Sequence, residues 1–196
     1  NGIRAAARKG FFDWLSQQSA DVVCIQEIKA KEVQLTDSVF YPEGYHCFYN
    51  EAERPGYSGA AIFAKEKPQR VVSRLDWEIV DSEGRYLQVD FPGLSVISLY
   101  VPPGSASEKA QARKDGFMGP FYEHLAALRR KRREFIICAD WNTCHQNIDL
   151  KNFKAKITAP PTTRIAPSPR KKSLKIKLII SVMNFNARIT APAIIK

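Results

Sequence analysis

Asp21-Val22-Val23-Cys24-Ile25-Gln26-Glu27 decides the architecture. Its middle, Val-Val-Cys-Ile, is a short continuous apolar run that reads as a buried strand, and it closes on a carboxylate. Just before it, over residues 4–18, Ala7, Phe11, Trp14 and Leu15 recur at helical spacing, which predicts a helix. Helix followed by buried strand is an α/β rhythm.

The rhythm continues outward from that stretch. Short apolar strands are predicted at 59–64, 86–91 and 94–100, punctuated by Arg54-Pro55-Gly56, Phe91-Pro92-Gly93 and Pro102-Pro103-Gly104, with several neighbours pairing antiparallel. Residues 107–130 carry Phe117, Phe121, Leu125 and Leu128 on one face and predict a long helix. It ends in the basic cluster 129–133, which complements the helix dipole, so structure alone accounts for part of that cluster. A further apolar strand, 134–139, leads into Asp140. Strands therefore end on polar residues at Glu27, Tyr100 and Asp140, and strand ends of layered α/β folds commonly line a site.

A chain of 196 residues, 44% of them hydrophobic, can bury one sizeable core. The net charge of +10 suggests a polyanionic partner until its distribution is considered. Residues 1–150 hold 19 Lys and Arg against 20 Asp and Glu, whereas 151–196 hold 11 Lys and Arg and no acid. The excess charge lies wholly in the tail, so the basic pI says nothing about the folded part. Beyond Asn152 the composition turns to Lys, Ile, Thr, Ala and Pro, and Ile-Thr-Ala-Pro occurs twice, at 157–160 and 189–192. The expected organisation is a domain over 1–152 and a basic tail over 153–196, disordered or translated out of frame, in which only 174–183 has the alternation of a strand able to pair onto an edge. Cys24, Cys47, Cys138 and Cys144 show no paired spacing and predict reduced, mostly buried thiols. No segment resembles a signal peptide or a membrane span, which predicts a cytoplasmic protein with no membrane partner. The opening at Asn1 rather than Met predicts residues before it.

Hydrolysis of a phosphodiester needs a hard cation at the phosphate oxygens, a base for the attacking water, and donors for the developing charge. Magnesium takes oxygen ligands, typically one or two carboxylates with amides and water. Glu27, Asp140 and Asn142 are the strand-end candidates. Singly, each is more often a turn former or helix cap.

Together they sit within a longer pattern. Asn1-Gly2-Ile3-Arg4-Ala5-Ala6, Val23-Cys24-Ile25-Gln26-Glu27-Ile28-Lys29, Gly56-Tyr57-Ser58-Gly59-Ala60-Ala61-Ile62-Phe63, Glu83-Gly84-Arg85, Leu99-Tyr100-Val101-Pro102, and Asp140-Trp141-Asn142 with His145 and Ile148-Asp149-Leu150-Lys151-Asn152 follow in order. In that order they resemble the exonuclease III-type abasic-site endonucleases, the DNA-repair branch of the endonuclease/exonuclease/phosphatase superfamily. The resemblance implies part of a four-layer, deoxyribonuclease I-like α/β sandwich. It implies a Mg2+-dependent nuclease, with Mn2+ as a substitute, that hydrolyses DNA 5′ to abasic sites and degrades 3′ ends. Its partner would be double-stranded DNA carrying abasic sites or 3′ ends, and the protein a monomer if folded.

Residue by residue, the resemblance implies Glu27 as the metal-binding carboxylate and Tyr100 as a phosphate-contacting phenol. Asp140 would orient or deprotonate the attacking water and also serve the metal, and Asn142 would support the phosphate oxygens beside it. Asn1 matches the second asparagine of an Asn-x-Asn-Gly motif, a support for the metal at best. His145 fits the pattern but is left out of the catalytic set. Arg85 and Arg113 are either contacts to DNA phosphates or solvated surface charge.

The pattern also has departures. Ala139 replaces a glycine. The family continues with a second sheet, a further catalytic Asp and a Ser-Asp-His motif, yet no acid follows Asp149 and no His follows His145. The expectation is impaired activity, with the inner face of the first sheet left bare and prone to aggregate. Two other readings stand beside the enzyme: a non-catalytic nucleic-acid-binding protein acting through its basic tail, and an inactive truncated product.

Overall fold

The structure, a computed structural model, describes residues 2–104, 107–143, 178–181 and 194–195, the last two segments as backbone strands. Two short helices, α1 (Ile3–Ala7) and α2 (Phe11–Ser16), lead into β1 (Val22–Gln26). Then come β2 (His46–Asn50), β3 (Ala60–Ala64), β4 (Arg70–Val72) and the helical turn α3 (Glu78–Asp81). A hairpin of β5 (Tyr86–Phe91) and β6 (Leu94–Tyr100), the long helix α4 (Glu108–Arg129) and β7 (Glu134–Asp140) follow. Last are β8 (Leu178–Ser181) and β9 (Ile194–Ile195).

The strands form two sheets, ordered β2-β3-β1-β8-β9 and β4-β5-β6-β7. β1, β2 and β3 pair antiparallel, as do β4, β5 and β6, whereas β1 with β8 and β6 with β7 are parallel. The edge-pairing strand expected within 174–183 corresponds to β8, which lies beside β1.

Alternate residues of each strand serve different layers, because side chains on a strand point to opposite faces. Val23, Ile25, Ala61 and Phe63 pack outward with Phe12 and Leu15. Val22, Cys24, Ala60 and Ile62 turn inward onto Leu87, Val89, Val96 and Cys138 of the other sheet. Ile97, Leu99 and Ala139 face the far side, where Phe117, Phe121 and Leu128 of α4 cover them. The result is helix, sheet, sheet, helix, and burial on both faces explains why Val22–Ile25 of β1 and all of β3 read as unbroken apolar runs. It also overturns one expectation. The first sheet has no bare inner face among the described residues, since the second sheet is built before Asp140 and covers it.

Local chemistry sets the element ends. The helix expected over 4–18 is two helices, since Gly10 takes φ +79° and breaks the turn between them. Ser107 caps α4, its hydroxyl accepting from Ala110 N at 3.1 Å. Arg133, last of the basic cluster, donates to the carbonyls of Phe91 and Leu94 at 2.6 and 2.9 Å and clamps the β5–β6 turn, so part of that cluster is structural. Cys24, Cys47 and Cys138 are free thiols, the first and last buried; Cys144 lies outside the described residues.

Candidate active site

The inner faces of β1, β6 and β7 change character at their C-terminal ends. Apolar side chains give way to Gln26 and Ser98, and the next positions outward are Glu27, Tyr100 and Asp140. Tyr100 and Asp140 are register partners on adjacent parallel strands, which brings them together across 40 residues of sequence. Tyr100 Oη donates to Glu27 Oε1 from the opposite sheet, and Lys29 Nζ meets the same oxygen at 3.2 Å. Three of the residues expected from sequence are thus assembled at one end of the inter-sheet layer.

Asn142 joins them through its backbone. Its N–H donates to Asp140 Oδ1 at 3.0 Å, closing an Asx-type turn, and its Nδ2 donates to Val101 O at 2.8 Å. Because the amide nitrogen is spent on Val101, the carbonyl oxygen is the atom left to serve a cation or a water. Lys114 from α4 binds Asn142 O at 2.6 Å and Thr143 Oγ1 at 2.7 Å, tying the loop to the helix. Glu27, Lys29 and Asn142 adopt φ values of +58°, +48° and +46°, a region that costs non-glycine residues energy and is held only by surrounding contacts.

Electrostatics separate the roles of the titratable groups. Burial, followed by the hydrogen bond to Glu27, raises the Tyr100 phenol well above its ordinary range, so it stays a protonated donor. Burial raises Asp140; the Asn142 N–H, Lys114 and Arg85 oppose this and the nearby Glu27 carboxylate adds to it. Glu27 and Asp140, with the Asn142 side-chain oxygen alongside, form an oxygen-only donor set suited to a hard divalent cation. Among the described residues, no group of three or more His, Cys, Asp or Glu converges.

Arg85 requires a correction. Read from sequence as a DNA contact or surface charge, its side chain is instead fully buried. Its Nε donates to Glu83 Oε2 at 2.6 Å, one Nη to Tyr100 O at 3.0 Å, and the other to Tyr57 Oη at 3.1 Å. The guanidinium lies over the Tyr100 ring, 4.6 Å from its centroid. Arg113 reaches the same group from α4, ion-paired to Glu83 and donating to Tyr57 Oη at 3.1 Å; it remains about one-third exposed. Burial would raise the Tyr57 phenol, but Arg113 and Arg85 outweigh it and lower it. Tyr57, Glu83 and Lys29 escaped assignment although all three lie in the motifs. The signal lay in the spacing of Glu83-Gly84-Arg85, where an added Cβ on Gly84 (φ +56°) would come within 2.5 Å of Asn50 O. The opening motif has a similar cause: a Cβ on Gly2 would lie 2.2 Å from Ile28 O, directly behind the Glu27 loop. Asn1 and His145 lie outside the described residues.

The sequence profile of the endonuclease/exonuclease/phosphatase family matches residues 1–173. The chain belongs to that family. The match runs past Asn152, where the sequence motifs end. An exodeoxyribonuclease of Bacillus subtilis is 35% identical over 156 residues, and the DNA repair nuclease APEX1 of Danio rerio 33% over 156. Each alignment covers 79% of this chain but only 60% and 50% of the relatives, so the chain spans between half and three fifths of their length. The solved AP endonuclease of Archaeoglobus fulgidus superposes with a TM-score of 0.65 at 28% identity, covering 78% of this chain and 61% of that one. The resemblance to exonuclease III-type members of the family, and the deoxyribonuclease I-like sandwich it implied, are both borne out. No described helix is long and apolar enough to cross a membrane.

Proposed function

We propose that this chain carries the water-activating half of a Mg2+-dependent DNA-repair phosphodiesterase, acting on double-stranded DNA at abasic sites and 3′ ends. The observation that carries the reading is the convergence of Glu27, Tyr100 and Asp140 from two sheets, with Asn142 folded back onto Asp140. Glu27, Asp140 and the Asn142 carbonyl would hold Mg2+, or Mn2+ in its place; bound there, the cation supplies positive charge against the phosphate oxygens. Asp140 Oδ accepts the proton of the attacking water. Tyr100 Oη donates to a phosphate oxygen as charge develops. Arg85 holds the Tyr100 ring and backbone from behind.

The domain that does this work is taken as 1–152, with 153–196 a basic tail whose β8 and β9 extend the first sheet beside β1. The three described cysteines are free thiols, which accords with a reducing, cytoplasmic compartment. Incubation of the chain with an abasic-site duplex and Mg2+, beside an Asp140→Asn variant, tests the reading. Cleavage 5′ to the lesion by the parent alone supports it. No cleavage by either protein overturns it for this polypeptide.

A further inference from the structure

Among the buried polar groups of the described residues that stand outside this scheme, Gln26 lies nearest the site. Gln26 sits in the apolar layer between the sheets, 1% exposed. Its Nε2 donates to Ser98 Oγ at 2.8 Å and to Cys138 O at 3.3 Å. Ser98 is itself fully buried, and its hydroxyl passes its single proton to Ile25 O at 3.0 Å. The chain from Gln26 Nε2 through Ser98 Oγ to Ile25 O therefore runs one way and closes back on β1. Gln26 Oε1 is buried without a hydrogen-bond partner.

On packing grounds this is a poor choice. An unsatisfied amide oxygen in an apolar layer costs stability, and Met or Leu would fill the space without it. The location supplies the reason. Gln26 precedes Glu27 directly, Ser98 lies two residues before Tyr100, and Cys138 two before Asp140. Ser98 and Cys138 are also register partners. One side chain thus ties the three strands that deliver Glu27, Tyr100 and Asp140, about 7 Å below the site at ordinary strand rise. Apolar contact between sheets is non-directional and tolerates sliding; a hydrogen bond from one sheet to another fixes their offset.

The geometry points to Gln26, with Ser98, as a positioning residue that sets the offset between the two sheets and so the meeting of Glu27 with Tyr100 and Asp140. The inference rests on the nuclease reading of that site.

The test compares Gln26→Met, Ser98→Ala, the double variant and Ser98→Thr, reading kcat and KM on an abasic duplex, Mn2+ affinity by electron paramagnetic resonance, and urea unfolding. Gln26→Met is expected to be at least as stable as the parent, yet to lose about tenfold or more in kcat with KM within about twofold. Its Mn2+ affinity should fall several-fold. Ser98→Ala should move the same quantities less, the double variant no further than Gln26→Met alone, and Ser98→Thr should stay near the parent. Parent-like kcat in both single variants, or losses that simply multiply in the double, would overturn the assignment. If the parent does not cleave DNA, the nuclease reading fails by itself; Mn2+ affinity then decides for Gln26, and an unchanged value in Gln26→Met sinks it.

Discussion

Tyr100 and Asp140 stand side by side as register partners of β6 and β7, and Tyr100 Oη crosses to the other sheet to donate to Glu27 Oε1. Glu27 is thereby held by a neutral donor, with Lys29 Nζ at 3.2 Å on the same oxygen. Replacing Tyr100 with Phe keeps the ring under Arg85 and deletes the hydroxyl alone. A hydrogen bond to a charged group is worth about 1.5–3 kcal/mol, so kcat on an abasic duplex should fall by roughly 10- to 100-fold. Steady-state kinetics with fold integrity checked by circular dichroism measures it.

Asp140→Asn should lose activity and gain stability. Removal of a positioned base costs about 10²–10⁴ in rate. Burial and Glu27 place the Asp140 carboxyl higher in the folded chain than in the unfolded one, so its ionisation opposes folding. That penalty is absent below the ordinary aspartate range and complete once pH exceeds the folded-state value. The variant should therefore melt higher than the parent at pH 7, and the two curves should converge on acidification to about pH 3. Calorimetry across that range checks the sign.

Glu83 neutralises two arginines of unequal burial. Glu83→Ala strands the fully buried Arg85 and should cost about 3 kcal/mol, the penalty for breaking a buried pair from one side. Arg113→Ala removes a partly exposed partner and should cost less than about 1 kcal/mol. Urea midpoints of the two variants, compared at constant m, separate these outcomes.

His124 supplies a second pH dependence through its contact with Tyr86. Its Nε2 lies 3.3 Å from Tyr86 Oη, and burial, with Lys131 nearby, lowers its pKa. Since the unfolded imidazole takes up its proton first, stability should fall as pH drops through about 6.5, the unfolded value. His124→Gln should flatten the melting-temperature profile between about pH 7 and 5 relative to the parent.

How much of this was legible follows from what each segment buries. β1, β3, β5, β6 and β7 are covered on both faces and announced themselves as apolar runs. β2 and β4 are edge strands of mixed composition, and no pattern marked them. Glu27, Tyr100 and Asp140 each end a strand, but it was the resemblance to exonuclease III-type enzymes, not their position, that singled them out. Arg85 was misread because arginine is ordinarily exposed, and nothing local reveals that Tyr57, 28 residues earlier, and Glu83 wait to receive it. Gln26 looked like one more strand residue; only the docking of two sheets gives its amide a purpose.

The Tyr100–Glu27 bond closes 73 residues of chain and the Gln26–Cys138 bond 112. Neither can exist until both sheets have formed and met, so loop-closure entropy must be overcome before the site has any of its shape. Assembly of this constellation is then the last step of folding. During refolding, recovery of Mn2+ binding should trail recovery of circular dichroism, and a chain that stalls with its sheets apart would carry Glu27, Tyr100 and Asp140 without the site they form together.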